Sequence, residues 1–167
     1  MKFAARILLL LIAVSPCCAR IGRDARWEAE YYVATYARHY NVPVEFVRAL
    51  VEQESGWRNC LVSTKGAVGL MQLMPDTARR LNVQNRCDLS QNISGGVRYL
   101  AWLMSRFRGD LRLVAAAYYA GEEAIEKRGL KCSAPAIVTY VLSIRNRFER
   151  LGQFQLANVA QTAGSKR

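Results

Sequence analysis

The stretch VEQESGWRN holds two glutamates, Glu52 and Glu54, whose spacing could separate a reactive carboxyl from a solvated one. Side chains two apart on a helix face different sides, so one can be buried while the other meets water. Glu52 falls on the charged side, whereas Glu54 continues an apolar stripe of Val47, Leu50 and Val51. A carboxyl held against such a stripe loses hydration, which raises its pKa and allows proton donation near neutral pH. The alternative is that Glu54 ends a frayed helix and turns back into water.

Helical periodicity runs through most of the chain, and strand signals are nearly absent. Start and stop residues, such as Pro75, Asp110 and Gly121, divide the pattern into separate helices. No internal repeat and no second domain is visible. The sequence therefore predicts a single all-α domain, with helices over 26–40, 43–54, a short segment opened by Pro75, 91–107, 110–121, 122–129 and 135–151.

The first nineteen residues have the pattern of a secretory signal peptide, with Lys2 and Arg6 before an apolar run and Ala19 at the cleavage point. The apolar run is too short for a bilayer, which needs roughly 20 residues, so no stable membrane insertion is predicted. The mature domain would span 20–152 in the periplasm or outside the cell. A small, polar tail over 153–167 is predicted to be disordered.

The charge is strongly basic, with 24 Lys and Arg against 13 Asp and Glu. Removing the predicted signal peptide takes away two basic residues and leaves a net charge of +9, which attracts polyanions. For an exported protein these are the cell wall and lipid headgroups. The basic residues are scattered, and no nucleic-acid-binding motif is present, so no nucleic acid partner is predicted. A soluble surface without a specific polyanion explains the charge equally well.

Three cysteines follow the predicted cleavage point: Cys60, Cys87 and Cys132. In an oxidising compartment two are expected to pair and one to remain, with the pairing left open by the sequence. A bridge closing a loop of about 25 residues would stabilise the fold by roughly 3 kcal/mol. His39 is the single histidine and the cysteine spacings are long, so neither a metal site nor a cofactor is predicted.

Four stretches, taken in order, resemble the bacterial lytic transglycosylases related to goose-type lysozyme. They are EQESGW, STKGAVGLMQLMPDTA, QNISGGVRYLAWLM and AAYYAGEEAI, and the resemblance covers about residues 42–148. The Gly-Leu-Met-Gln segment is specific, and the ordered set is more specific than any member. The resemblance implies a lysozyme-like helical domain with a substrate groove that binds peptidoglycan glycan strands.

The same resemblance assigns roles to particular residues. Glu54 would be the single acid/base that cleaves the MurNAc-β-1,4-GlcNAc bond and leaves a 1,6-anhydro-MurNAc end. Some of the implied residues have another explanation from the sequence. Met71 and Met74 could be core packing, Ser63 could cap a loop, and Tyr140 could have a structural role. The substrate-binding residues implied are Ser63, Gly69, Met71, Gln72, Met74, Tyr118 and Tyr140.

The sequence departs from the family pattern at two places. Tyr119 stands where relatives carry Asn and Glu123 where they carry Gly, while Ala136 and Ile137 replace a Glu and a Thr. If that second glutamate orients substrate in relatives, this chain must do without it or use Glu122 or Glu123.

These departures keep other functions open beside the transglycosylase. One is a hydrolytic muramidase, in which water replaces the sugar 6-hydroxyl. Another is a non-catalytic peptidoglycan-binding or scaffold protein, and a third is direct membrane action through the basic charge. Small exported members of the family resemble those that open the wall for secretion systems, pili or flagella, so such a machine is the expected partner.

Overall fold

The computed structural model describes the backbone of residues 16–130 and 134–164, and the side chains of 25–130 and 134–153. No β-strand is present in these ranges, and two isolated bridges, Val62 to Val68 and Val68 to Leu73, are the extended pairings there. The all-α prediction is therefore confirmed. The helices are α1 (Pro16–His39), α2 (Val44–Glu54), α3 (Pro75–Arg80), α4 (Leu89–Arg106), α5 (Leu111–Ala120), α6 (Glu122–Arg128) and α7 (Pro135–Gly164).

Local chemistry explains where the helices begin and end. Asp110 caps the start of α5, where its side chain accepts a hydrogen bond from the backbone N–H of Arg112, and Gly121 ends α5 with a φ of 87°. Pro75 occupies the first turn of α3, where its missing N–H costs nothing. The predicted boundaries at these three residues are confirmed.

The arrangement of the helices brings the end of α2 against α7. Helix α1 packs on α4 and α2, while α7 packs across both α2 and α5. The stripe predicted on α2 is fully buried in this core. Burying one large aliphatic side chain contributes about 1.5–3 kcal/mol, so this face fixes the rotation of α2 about its axis. The large buried side chains of this core include Phe46 and Leu50 from α2, Ile93 and Leu100 from α4, and Ile144 from α7.

Two glycines inside α4 allow a close approach between that helix and the loops on either side of α3. A Cβ on Gly96 would lie 2.3 Å from the Met71 sulfur, and one on Gly95 would lie 2.4 Å from a Val83 methyl. The cost of glycine in a helix is roughly 1 kcal/mol. The prediction of a helix through these glycines is confirmed, and the close packing of Met71 and Val83 explains why they are glycines.

A disulfide joins Cys60, after α2, to Cys87, before α4, with a sequence separation of 27. Closing a loop of this length stabilises the fold by about 3–4 kcal/mol in the chain-entropy model. This bond confirms the expected disulfide and resolves which cysteines form it. Cys132 lies outside the described residues, as do the side chains of Cys17 and Cys18.

Helices α1 and α7 both extend past the limits that the sequence predicted for them. Helix α1 begins at Pro16, inside the predicted signal peptide, of which residues 1–15 lie outside the described part. Helix α7 continues to Gly164, past residue 153, where a disordered tail was predicted. The segment contains Ala, Leu and Gln without proline, a composition that favours helix continuation. Among the described residues, the helices lack the length and apolar character needed to cross a bilayer.

Candidate active site

Glu54 is the last residue of α2, and its half-buried carboxyl meets α7. The hydroxyl of Tyr140, on α7, donates a hydrogen bond to Glu54 Oε1. Tyr140 is only 6% exposed, so packing around its ring holds the phenol in place. The structure therefore places a tyrosine hydroxyl directly on the carboxyl singled out by its helical position.

The environment of Glu54 raises its pKa from 4.5 to about 6. Desolvation by burial is the larger cause and raises the pKa, because it disfavours the ionised form. The hydrogen bond from Tyr140 acts in the opposite direction, because it stabilises the carboxylate. No acidic side chain in the described part of the chain contributes to the shift. Such a carboxyl can be protonated or ionised near neutral pH and can exchange a proton in both directions.

Glu52 has a different environment, as its position two residues earlier predicts. Its side chain is 35% exposed and accepts a hydrogen bond from Arg150 at 2.9 Å, with the Arg147 Nε 3.6 Å away. These ion pairs lie at the protein surface and add at most about 1 kcal/mol each. Glu52 thus tethers α2 to α7 from the solvent side, while Glu54 faces the interior of the same contact.

The loop between α2 and α3 is held by a buried amide, that of Asn92 on α4. Its Oδ1 accepts from the backbone N–H of Met71 at 2.9 Å. Its Nδ2 donates to the carbonyl oxygens of Val68 at 3.0 Å and Arg86 at 2.9 Å. No role for Asn92 was predicted from the sequence, although it opens the recognisable stretch NISGG. An asparagine at the start of an apolar helix face is the signal that could have identified it.

Gly69 lies where no side chain fits. Its φ is 89°, and an added Cβ would lie 2.4 Å from the carbonyl oxygen of Arg86 and 2.2 Å from Asn92 Nδ2. Its backbone N–H donates to Leu61 O at 2.9 Å. In the structure, Gly69 therefore lets the loop turn tightly against the Asn92 amide. Its contact with a sugar stays a prediction.

The two methionines of the loop have different surroundings. Met71 is fully buried, and its carbonyl oxygen accepts a hydrogen bond from the Tyr118 hydroxyl at 2.7 Å. Met74 is 42% exposed at the start of α3. Packing accounts for the Met71 side chain, while Met74 is free to meet a ligand.

The polar residues predicted in this loop make hydrogen bonds within it. Gln72 has a φ of 46°, and its Nε2 donates to the carbonyl oxygens of Leu61 and Gly69, both at 2.9 Å. The Ser63 hydroxyl accepts from the Ala67 N–H at 3.0 Å, as a loop cap does. Both side chains therefore shape the loop, and their contacts with substrate stay predictions.

Three tyrosines line the contact between α5 and α7. The pKa of the Tyr118 hydroxyl is raised well above its usual range, first by burial and then by the charge of Glu54. The same two causes raise the pKa of Tyr140. The Tyr119 ring stacks on the Tyr140 ring with 4.6 Å between centroids and 26° between planes. The sequence marked Tyr119 only as a departure, because this contact joins residues 21 positions apart.

The acidic residues considered as substitutes for a second glutamate are engaged elsewhere. Glu122 accepts hydrogen bonds from the Tyr99 hydroxyl at 2.8 Å and from Arg80 at 3.1 Å. Glu123 is exposed and lies 3.8 Å from Lys127. Among the described residues, no three metal-ligating side chains come together.

Comparison with known proteins gives the family. The model of the Transglycosylase SLT domain family matches residues 31–139, which is more than half of the chain. The chain therefore belongs to this family, which confirms the resemblance read from the motifs.

Individual relatives are similar over part of their length. A transglycosylase of Enterobacteria phage PRD1 is 38% identical over 95 residues, 57% of this chain and 34% of that protein. The membrane-bound lytic murein transglycosylase F 1 of Alkalilimnicola ehrlichii is 38% identical over 108 residues, 61% of this chain and 21% of that protein. The chain thus spans about a fifth to a third of these relatives.

A solved structure shares the fold. It is an inactive glutamate-to-glutamine mutant of the lytic transglycosylase Slt from Pseudomonas aeruginosa, with a TM-score of 0.66 and 26% identity. The match covers 76% of this chain and 24% of that one.

Gly69→Ala should destabilise the protein more than Gly66→Ala. Both glycines have a positive φ, 89° and 85°, but an added Cβ at Gly66 meets nothing within 4 Å. We expect Gly66→Ala to cost about 1 kcal/mol through backbone strain. Gly69→Ala should cost about 2 kcal/mol more, through the clash with Arg86 and Asn92. Urea unfolding of both variants measures the difference, and equal costs would contradict the close approach at Gly69.

The pKa of Glu54 predicts a pH-dependent stability. Between pH 4.5 and about 6 the native state binds more protons than the unfolded chain, so the free energy of unfolding should fall as pH rises. The full effect is on the order of 2 kcal/mol. Glu54→Gln removes it, so the stability of the variant relative to the natural chain should increase by that amount from pH 4 to pH 8. Denaturant titrations at both pH values test this, and a pH-independent difference would contradict the raised pKa.

Proposed function

We propose that the chain is a peptidoglycan lytic transglycosylase in which Glu54 is the single acid/base. The observation that carries this proposal is a half-buried carboxyl of raised pKa that accepts a hydrogen bond from Tyr140. Membership of the transglycosylase SLT domain family supports the reaction class. The inactive glutamate-to-glutamine mutant of Slt supports a glutamate as an essential residue in that relative.

The first step would break the glycosidic bond. Protonated Glu54 donates its proton to the oxygen that leaves with GlcNAc, while the acetamido oxygen of MurNAc attacks C1 from the opposite face. The C1–O bond breaks, and its electron pair goes to the leaving oxygen. The acetamido group thereby replaces the second carboxylate that most glycosidases use. The absence of an acidic contribution to the Glu54 pKa within the described residues is in keeping with this step.

The second step would use the same carboxyl as a base. Ionised Glu54 accepts the proton of the MurNAc 6-hydroxyl, whose oxygen bonds to C1 as the acetamido oxygen leaves. The product is a 1,6-anhydro ring, Glu54 is protonated again, and no water is consumed. Tyr140 would stabilise the ionised carboxylate between the steps, whereas burial favours the neutral form. These opposing effects hold the pKa near the working pH, where proton transfer in both directions is efficient.

The place of action would be the cell wall outside the cytoplasm. The signal-peptide pattern supports export, and the basic charge supports attraction to an anionic wall polymer. Similar proteins include membrane-bound lytic murein transglycosylases, and murein is the wall polymer itself. A secretion, pilus or flagellar machine as the partner stays a prediction.

Digestion of purified peptidoglycan, with products identified by mass, tests the reaction. The full chain should release 1,6-anhydro-muropeptides, and Glu54→Gln should lower the rate by at least about 100-fold, the usual loss for a general acid/base. Glu52→Gln is the matched control, because it removes a carboxylate two residues away that pairs with surface arginines. It should retain activity within about threefold, because the two ion pairs that it removes lie outside the carboxyl contact with Tyr140 and add at most about 1 kcal/mol each to stability.

Other products would overturn the assignment. Muropeptides with reducing ends would mean that water is the acceptor and that the protein is a muramidase. Binding of peptidoglycan without release of fragments by the full chain would mean a wall-binding protein. Equal losses in Glu52→Gln and Glu54→Gln would contradict Glu54 as the acid/base.

A further inference from the structure

Tyr119 is a large aromatic residue that remains substantially exposed beside the catalytic carboxyl. It lies in the last turn of α5 and is 48% exposed, whereas the neighbouring Tyr118 is largely buried and donates to the Met71 carbonyl. Neighbouring residues on a helix are rotated by about 100°, so the two side chains leave α5 in different directions. Packing therefore accounts for the position of Tyr118, whereas about half of the Tyr119 surface stays in contact with solvent.

The contacts of Tyr119 connect it to the reaction centre. Its ring stacks on that of Tyr140, with 4.6 Å between the centroids, and the Tyr140 hydroxyl donates to Glu54. Glu54, Tyr140 and Tyr119 thus form a row from the half-buried carboxyl to solvent. Tyr119, the exposed member of this row, is therefore one ring contact and one hydrogen bond away from Glu54.

Stacking on Tyr140 leaves the rest of the Tyr119 ring open. Pyranose rings present C–H groups on their flatter face. Covering such a face with an aromatic ring removes apolar area of both the sugar and the ring from water. The free energy gained is about 25 cal/mol for each Å² of apolar area covered. The Tyr140 contact also orients the Tyr119 ring in advance, which lowers the entropy cost of binding.

We propose that Tyr119 is a sugar-stacking platform that binds one N-acetylhexosamine ring of the glycan next to the bond that Glu54 cleaves. This inference rests on the proposed function and identifies a binding residue for it. At this position the chain departs from the Asn of the family pattern. An aromatic ring here offers the sugar an apolar face, whereas an amide would offer only hydrogen-bonding groups.

The platform can be tested by binding without turnover. In a Glu54→Gln background, isothermal titration of the full chain with a β-1,4-linked N-acetylglucosamine tetramer should give a measurable Kd. Tyr119→Phe keeps the ring and should change Kd by less than about twofold. Tyr119→Ala and Tyr119→Asn remove it and should each weaken binding about tenfold, equivalent to 1.4 kcal/mol. Because Tyr119 is half-exposed, all three variants should keep their midpoint of thermal unfolding within a few degrees.

A second measurement distinguishes a sugar-binding role of Tyr119 from a role in holding Tyr140 in place. If Tyr119 only held Tyr140 in place, Tyr119→Ala would loosen the hydrogen bond to Glu54 and raise the pH at which kcat/KM falls. As a platform, Tyr119→Ala should raise the half-saturating peptidoglycan concentration about tenfold while that pH stays unchanged, since a residue that binds substrate affects KM.

Several results would overturn the proposal. Tetramer binding could be unchanged in Tyr119→Ala, equally weakened in Tyr119→Phe, or absent in the Glu54→Gln parent. The fourth such result is a shift in the pH at which kcat/KM falls, with tetramer binding unchanged. Failure of the proposed function is visible separately. The natural chain would then release no anhydro products from peptidoglycan, even if tetramer binding followed the Tyr119 ring as expected.

Discussion

The hydrogen bond from Tyr140 to Glu54 is the interaction on which the rest of the site depends. It joins residues 86 positions apart, and it forms only because α7 packs across both α2 and α5. Burial of the Glu54 carboxyl favours its protonated form, whereas the Tyr140 hydroxyl donates a hydrogen bond that stabilises its ionised form. An unpaired buried carboxylate would cost several kcal/mol. The fold avoids that cost by placing one hydroxyl at the end of the α2 stripe.

A second constraint is the buried Asn92 amide, which fixes the loop before α3. Its three hydrogen bonds hold backbone groups of Met71, Val68 and Arg86. A buried polar group of this kind stabilises only when its partners are present, because an unsatisfied one costs about 1–3 kcal/mol. Three separate features therefore hold the loop: Gly69 permits its close approach to Asn92, backbone groups of the loop bond to that amide, and the disulfide ties Cys60 to the segment before α4.

The sequence predicts well what depends on neighbours along a helix. The separation of Glu52 from Glu54 follows from helical geometry, and the limits of α5 follow from Asp110 and Gly121. It predicts poorly what depends on contacts between distant elements. Helical spacing carries no information on which cysteine meets Cys60, or on the stacking of Tyr119 against Tyr140. The same holds for Glu122, which in the sequence resembles a free acid but accepts hydrogen bonds from Tyr99 and Arg80.

The most direct test of this account is a carbon-13 NMR titration of the Glu54 carboxyl in the natural chain and in Tyr140→Phe. The account predicts a pKa near 6 in the natural chain, because burial outweighs the hydrogen bond. It predicts a higher pKa in Tyr140→Phe, because the variant loses the donor that stabilises the carboxylate. A pKa near 4.5 in the natural chain, or a lower value in the variant, would contradict the claim that burial and Tyr140 together set the acidity of this group.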